Sequence, residues 1–192
     1  HIPEPSDRPI AGTTAHSILG TLTGQITALT SGSATVGMRR QTYPLATEES
    51  ASFTGVTLGG GLRRQLGRSS TLGVQFTRTP SPSAFDENAY YVNNAIVANL
   101  DVGVPLELWA RGSVGFLRNS YPTVEPEIGE PRRDDIWMWT LGVGRQIGVK
   151  AWIRADSRRE KRTSNIPGFN VTTDGFLIQL GIGRLGPGIL GR

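Results

Sequence analysis

Apolar and polar side chains alternate almost residue by residue along the chain, most clearly from Asp134 to Arg184. There Val149, Ala151, Ile153 and Ala155 oppose Lys150, Trp152, Arg154, Asp156 and Arg158. After a polar loop, Phe176, Ile178, Leu180 and Ile182 oppose Gly175, Leu177, Gln179, Gly181 and Gly183. A period of two places successive side chains on opposite faces of a β-strand, whereas a helix would space its apolar residues by three or four. The same pattern predicts earlier strands over Thr13–Leu29, Ser33–Gln41, Ser52–Gln65, Ser70–Thr79 and Ala89–Val102, and a sixth from Leu106 to a polar loop at Asn119–Arg133. The stretch from Asp134 supplies three more, split at the turn Gln146–Gly148 and by the last polar loop. About nine strands are therefore expected.

The connections sort by length. They are short after the first, third, fifth and seventh strands and long after the second, fourth, sixth and eighth, which gathers the tight turns at one end. Up-and-down transmembrane barrels do this, while a sandwich whose connections cross between sheets has no reason to. The faces differ too: one is apolar, and the other carries Gly, Ser, Thr, Gln and Arg, as a crowded wet lumen would. The expected fold is all-β, an antiparallel up-and-down transmembrane-type β-barrel or barrel segment of about 9–10 strands across residues 13–184. Residues 1–12, with three prolines, read as an extended lead-in, and 185–192 as a tail. The rival is a soluble β-sheet protein, whose apolar side would turn inward. Complete bacterial single-chain barrels have an even strand number, so an odd one carries its own expectation. A short strand from the lead-in, strands upstream of His1 or a neighbouring copy would complete the ladder, since an open edge leaves backbone groups that lipid cannot satisfy.

Composition narrows the chemistry. The 192 residues include 20 Lys and Arg against 16 Asp and Glu, a formal charge of +4 with a pI near 10.0. That mild basic excess suits phosphate, acidic glycans or lipid head groups without selecting among them, and no nucleic-acid partner is expected. The absence of cysteine excludes disulfides and thiolate metal sites, and no run of 18 apolar residues offers a spanning helix. His1 and His16 have no serine or acid marked out beside them by spacing, so neither a catalytic triad nor a transition-metal site is expected. The pieces GGGLRRQLG and GVGRQIG miss the GxGxxG spacing and lack the GKS or GKT of a phosphate loop. The expectation is a protein without enzyme activity, cofactor or metal.

Arg39, Arg63, Glu107, Trp109, Arg111, Lys150, Trp152, Arg154, Asp156 and Arg158 share the polar phase and form the expected pore-lining set. Two readings stay open for them. Arginine pairs bidentately with carboxylate or phosphate and aromatic faces stack on sugars, so anionic polysaccharide or small anions are candidate passengers. Alternatively, the cations pair with Asp101, Glu107, Asp156 and Glu160 to fill a narrow barrel. Tyr90, Trp137, Trp139 and Phe176, on the apolar phase near strand ends, are the expected interfacial aromatic belt. The functional expectation is a pore or channel wall in the lipid bilayer of a bacterial outer membrane. The alternative is an extracellular structural subunit whose edge strands join copies into an oligomeric tube or filament.

Three clusters carry a family resemblance: Gly37, Arg39, Arg40, Gln41 and Tyr43; Pro131, Arg132, Arg133, Asp134 and Asp135; and Arg158, Arg159, Glu160, Ser164, Asn165 and Phe169. On these the chain resembles the outer-membrane β-barrel porins often called type-2 barrel proteins, found in Gram-negative bacteria and commonly linked with surface-polysaccharide gene clusters. The likeness covers most of Thr21 to Arg184 and corresponds to the carboxyl-terminal part of a larger family member. It implies an outer-membrane barrel with a transport role. One departure is the chain end, which runs Gly186 to Arg192 instead of closing on the aromatic residue usual for outer-membrane assembly signals.

Overall fold

The computed structural model describes residues 13–43, 52–83, 88–104, 108–126, 128–148 and 150–183. They form nine strands: β1 (Thr14–Thr27), β2 (Thr30–Thr42), β3 (Ser52–Gln65), β4 (Ser70–Pro82), β5 (Tyr90–Val104), β6 (Leu108–Glu125), β7 (Glu130–Ile147), β8 (Ala151–Ser164) and β9 (Val171–Ile182). All lie in one sheet in chain order, each antiparallel to the next, with no helix among the described residues. The all-β, up-and-down architecture read from the alternation is the one observed. Among the described residues no ladder joins β1 to β9, so the sheet keeps two free edges. The expected lead-in and tail lie outside the described residues. Tight turns form where glycine accepts the reversal: Gly148, at φ 62°, holds a left-handed conformation that a side chain would resist, and β7 passes into β8 there.

Several strands run further than their apolar stretches. The predicted loop Asn119–Arg133 shrinks to residues 126–129, because Ser120, Val124 and Glu125 pair with Arg133, Pro131 and Glu130 across a bulge. Likewise β8 continues to Ser164 and β9 begins at Val171, leaving a connection of residues 165–170. A ladder is built from backbone amides and carbonyls, so polar side chains do not end it. At 18 residues each, β6 and β7 far exceed the ~9–11 residues of a membrane-crossing strand.

Burial is inverted relative to a soluble domain. The buried hydrophobic side chains are Tyr43, Phe53, Tyr90, Trp109, Tyr121, Ile136 and Ile166, while Gln41, Thr57, Thr71, Asn88, Asp101, Asn119, Arg132, Asp134 and Asp156 are buried polar ones. Along β7 the alternation is plain: Arg132, Asp134, Ile136, Gly142 and Gly144 are buried, and Trp137, Trp139, Leu141 and Val143 are exposed. The aliphatic phase of the strands faces out, the reverse of an apolar side turned inward.

One expected belt residue is corrected. Tyr90 is only 9% exposed; its ring stacks on Tyr43 at 5.4 Å and meets Phe53 edge-on at 5.5 Å. The cause lies in the ladder, since β3–β4 pairing stops at Leu58–Arg78 while β4–β5 pairing continues to Pro82–Tyr90. Phe53, beyond that split, has no partner on β4, and Tyr90 at the start of β5 covers it.

Candidate functional site: a polar concave face with an apolar back

Strands in a sheet are ~4.8 Å apart, so a flat sheet would hold β1 and β6 ~24 Å from each other. Thr23 and Gln25 of β1 nevertheless line the same hollow, of ≈ 850 Å³, as Arg111 and Ser113 of β6. The sheet is therefore curled around its polar face. A second hollow, of ≈ 350 Å³, lies on the β1–β4 side beside Thr35, Arg39 and Thr57.

The expected pore-lining residues Arg39, Arg63, Trp109, Arg111, Trp152, Arg154, Asp156 and Arg158 all take this concave phase, and the register brings several together. Trp109 and Arg111 face Gly144 and Gly142 across β6–β7, and those glycines face Arg154 and Asp156 across β7–β8. Space between them depends on the missing side chains: a Cβ at Gly142 would collide with the Asp156 carboxylate, and one at Gly181 with the Trp152 indole. Lys150 is exposed in the β7–β8 turn, and Glu107 lies outside the described residues.

The concave arginines of β6 and β8 are neutralised in place. Arg111 donates from Nε and a terminal nitrogen to the two Asp101 oxygens at 2.6 and 3.2 Å, and Asn99 donates to the same carboxylate at 3.2 Å. The Arg154 Nε lies 2.5 Å from Asp156 Oδ2, a contact of opposite charges without hydrogen-bond alignment. Both guanidiniums lie near the buried Trp109 ring, at 5.6 and 5.8 Å from its centroid. Arg158 donates to Glu160 at 2.8 Å. Of the two readings of the arginine set, mutual pairing describes this side of the sheet.

Sequence reasoning missed how tightly the long-loop end is packed. Arg132 and Asp134, 2% and 0% exposed, form a bidentate pair at 3.0 and 2.9 Å. The Tyr121 hydroxyl donates to Asp134 at 3.4 Å, and the Phe169 ring lies 4.1 Å from the Arg132 guanidinium. Asn165 clips the last connection onto β7. Its backbone N–H donates to the Arg133 carbonyl at 3.1 Å, its side-chain oxygen accepts from the Arg133 N–H at 2.7 Å, and its amide nitrogen donates to the Pro131 carbonyl at 3.1 Å. Two of the sequence clusters, Pro131–Asp135 and Ser164–Phe169, thus meet in space. A signal for the buried pair existed, because Arg132 and Asp134 continue the inward phase of Ile136 backward along β7. Near the other side of this end Tyr43, just past β2, has its phenol pushed above the ordinary value by burial, with Arg39 opposing and Tyr90 adding.

On the convex back of β1–β7 the apolar side chains form a band between two polar stretches, while on β8–β9 the ion pair Arg159–Asp174 stands on the same back beside Trp139. On one side the cross-strand neighbours Arg78, Asn94, Arg118 and Asp135 are polar, and so are the neighbours His16, Arg40 and Thr54 on β1–β3, displaced by four residues from Leu58, which faces Arg78. Arg78 donates to Asn94 at 2.6 Å, and Arg118 donates twice to Asp135 at 2.7 and 2.9 Å. The other side holds the neighbours Thr30 and Arg64, with Arg145 on β7. Thr54 and Arg64, like Asp135 and Arg145, differ by ten in residue number. Ten residues make ~33 Å of strand, or ~25 Å of height at the ~40° tilt of barrel strands. Trp137, Trp139, Leu141 and Val143 fill this interval on β7. Of the expected aromatic belt, Trp137, Trp139 and Phe176 stand on this back, 51%, 41% and 70% exposed.

Compared with known proteins, the chain matches no protein-family model and no curated protein.

Proposed function

We propose that the chain is part of the wall of an outer-membrane β-barrel, a non-enzymatic pore or channel element. Its convex face would meet lipid, and its concave face would line a water-filled passage for anionic solutes or glycans. The observation that carries the reading is the band on the back of β1–β7: exposed aliphatic and aromatic side chains bounded by polar residues, at the ~25 Å height of the outward apolar belt of transmembrane barrels. The resemblance to type-2 barrel porins points the same way.

The test is refolding into detergent followed by reconstitution. Liposome flotation that survives alkaline extraction is expected, together with ion conductance across planar bilayers. Leu141→Arg, in the middle of the band, should cost ~2–4 kcal/mol of insertion and reduce flotation, whereas Gln75→Arg on the concave face should float like the parent. A protein that stays in the aqueous phase, or variants that behave alike, would overturn the reading.

A second reading is favoured by the bare edges. β1 is exposed along all its 14 residues, and unpaired edges invite copies to join into a tube or filament. Because β1 and β9 run in the same direction, neighbouring copies of like orientation would meet there in parallel. Polymers seen by electron microscopy in detergent-free buffer would support this reading over the first.

A further inference from the structure

The two halves of the concave wall differ in charge. The described residues of β1–β4 and their turns contain no Asp or Glu, yet they carry Arg39, Arg40, Arg63, Arg64, Arg68 and Arg78. On β6–β8 every concave arginine has a carboxylate at hand: Arg111 has Asp101, Arg132 has Asp134, Arg154 has Asp156, and Arg158 and Arg162 share Glu160.

Of the strand arginines of β1–β4, Arg39 and Arg63 take the concave phase. Arg39 sits between Ser17 and Gly55, and Arg63 between Ser31 and Gly73. Neither has a carboxylate partner among the described residues, and the buried Nε of Arg39 lacks any hydrogen-bond acceptor among them. Each lines its own hollow, Arg63 the larger and Arg39 the smaller. Arg39 and Ser31, the partner of Arg63, are eight residues apart on β2, which sets the two guanidiniums' strand positions ~27 Å apart. The inward residues between them are Ser33, Thr35 and Gly37 on β2 and Thr57, Gly59 and Gly61 on β3, none of them charged.

An unneutralised guanidinium in a concave wall concentrates anions, and its planar fork donates to two oxygens of a carboxylate or oxyanion. A guanidinium already bound to aspartate has that fork filled. We propose that Arg39 and Arg63 are the two anion stations of this wall, taking small inorganic or carboxylate anions. The paired arginines of β6–β8 hold structure and do not set selectivity. The inference rests on the channel reading for its role in passage, but anion binding at the two arginines can be measured apart from conductance.

The full chain, reconstituted in planar bilayers under a potassium chloride gradient, should show a reversal potential favouring chloride. Changing Arg39→Gln and Arg63→Gln together should lower the chloride-to-potassium permeability ratio several-fold. Changing Arg111→Gln with Asp101→Asn, which removes a neutralised pair, should leave the ratio at its parental value. In detergent, broadening of the chloride-35 resonance should follow the same pattern, with circular dichroism confirming that each variant is folded. Parental selectivity and chloride broadening in the Arg39, Arg63 double variant would overturn the proposal, as would an equal loss in the pair variant. Chloride broadening that depends on Arg39 and Arg63 in a protein that conducts nothing would keep the stations and remove the channel reading.

Discussion

The β1–β4 and β5–β8 halves of the sheet fill their inward faces in opposite ways. In β5–β8, Trp109, Tyr121, Ile136, Asn119, Asp101, Arg132, Asp134 and Asp156 are all buried, and charge pairs form between β5 and β6 and within β7 and β8. In β1–β4 the inward residues are largely glycine, serine and threonine, β1 is exposed throughout, and beyond the buried Gln41, Phe53, Thr57 and Thr71 the face opens on the larger hollow. A chain with few buried apolar side chains can draw specificity from satisfied polar networks, which bind tightly when complete and cost heavily when broken. The same sheet therefore contains a braced wall and a vacant one, and glycine against paired charge decides which is which.

The comparison can be broken most sharply at the buried pair. Asp134→Ala strands the Arg132 charge and should cost ~3–5 kcal/mol. Ser33→Ala, on the vacant wall, should stay within ~0.5 kcal/mol. Urea midpoints of the detergent-refolded protein measure both, and similar losses would erase the distinction. A smaller effect is expected from added methyl groups. Gly142→Ala drives a Cβ into the Asp156 carboxylate and should cost ~1–3 kcal/mol. At Gly24, where nothing lies within 4 Å of an added Cβ, the same change should be neutral or stabilise by ~0.4–1 kcal/mol through the unfolded chain. Equal signs at the two glycines would contradict the contrast.

The smallest expected effect concerns Tyr43. Its raised pKa means that the folded state prefers the neutral phenol, so its contribution is whole below the ordinary tyrosine value and is lost as pH climbs through the native one. Tyr43→Phe should lessen the fall of the urea midpoint as pH rises above the ordinary tyrosine value of 10.0. An unchanged fall would show that other groups govern it.

Much of this was legible in the residues. Alternation alone placed nine strands and assigned Arg39, Arg63, Trp109, Arg111, Trp152, Arg154, Asp156 and Arg158 to one phase, because side-chain direction in a strand depends only on parity. Which arginine met which carboxylate was not legible, since pairing depends on the register between strands: Asp101 opposes Arg111 only because β5 and β6 align as they do. The lengths of β6 and β7 are hidden in the residues, because their polar side chains carry a loop pattern that backbone pairing tolerates. Tyr90 had the parity of an outward residue, and only the early end of the β3–β4 ladder drew it against Phe53. Asn165 stands in one of the resemblance clusters but has no place in the alternation, since a single amide acts here through contacts with carbonyl and N–H groups more than thirty positions away.

That amide has a consequence for recognition at the far end of the hairpins. By closing three bonds onto β7, Asn165 fixes the shape of the segment carrying Ile166 and Phe169 before anything approaches it. A molecule docking there would meet a preset relief and would forfeit little loop entropy in the encounter. Contact at that tip would then be judged by fit alone, as a key is by a rigid lock.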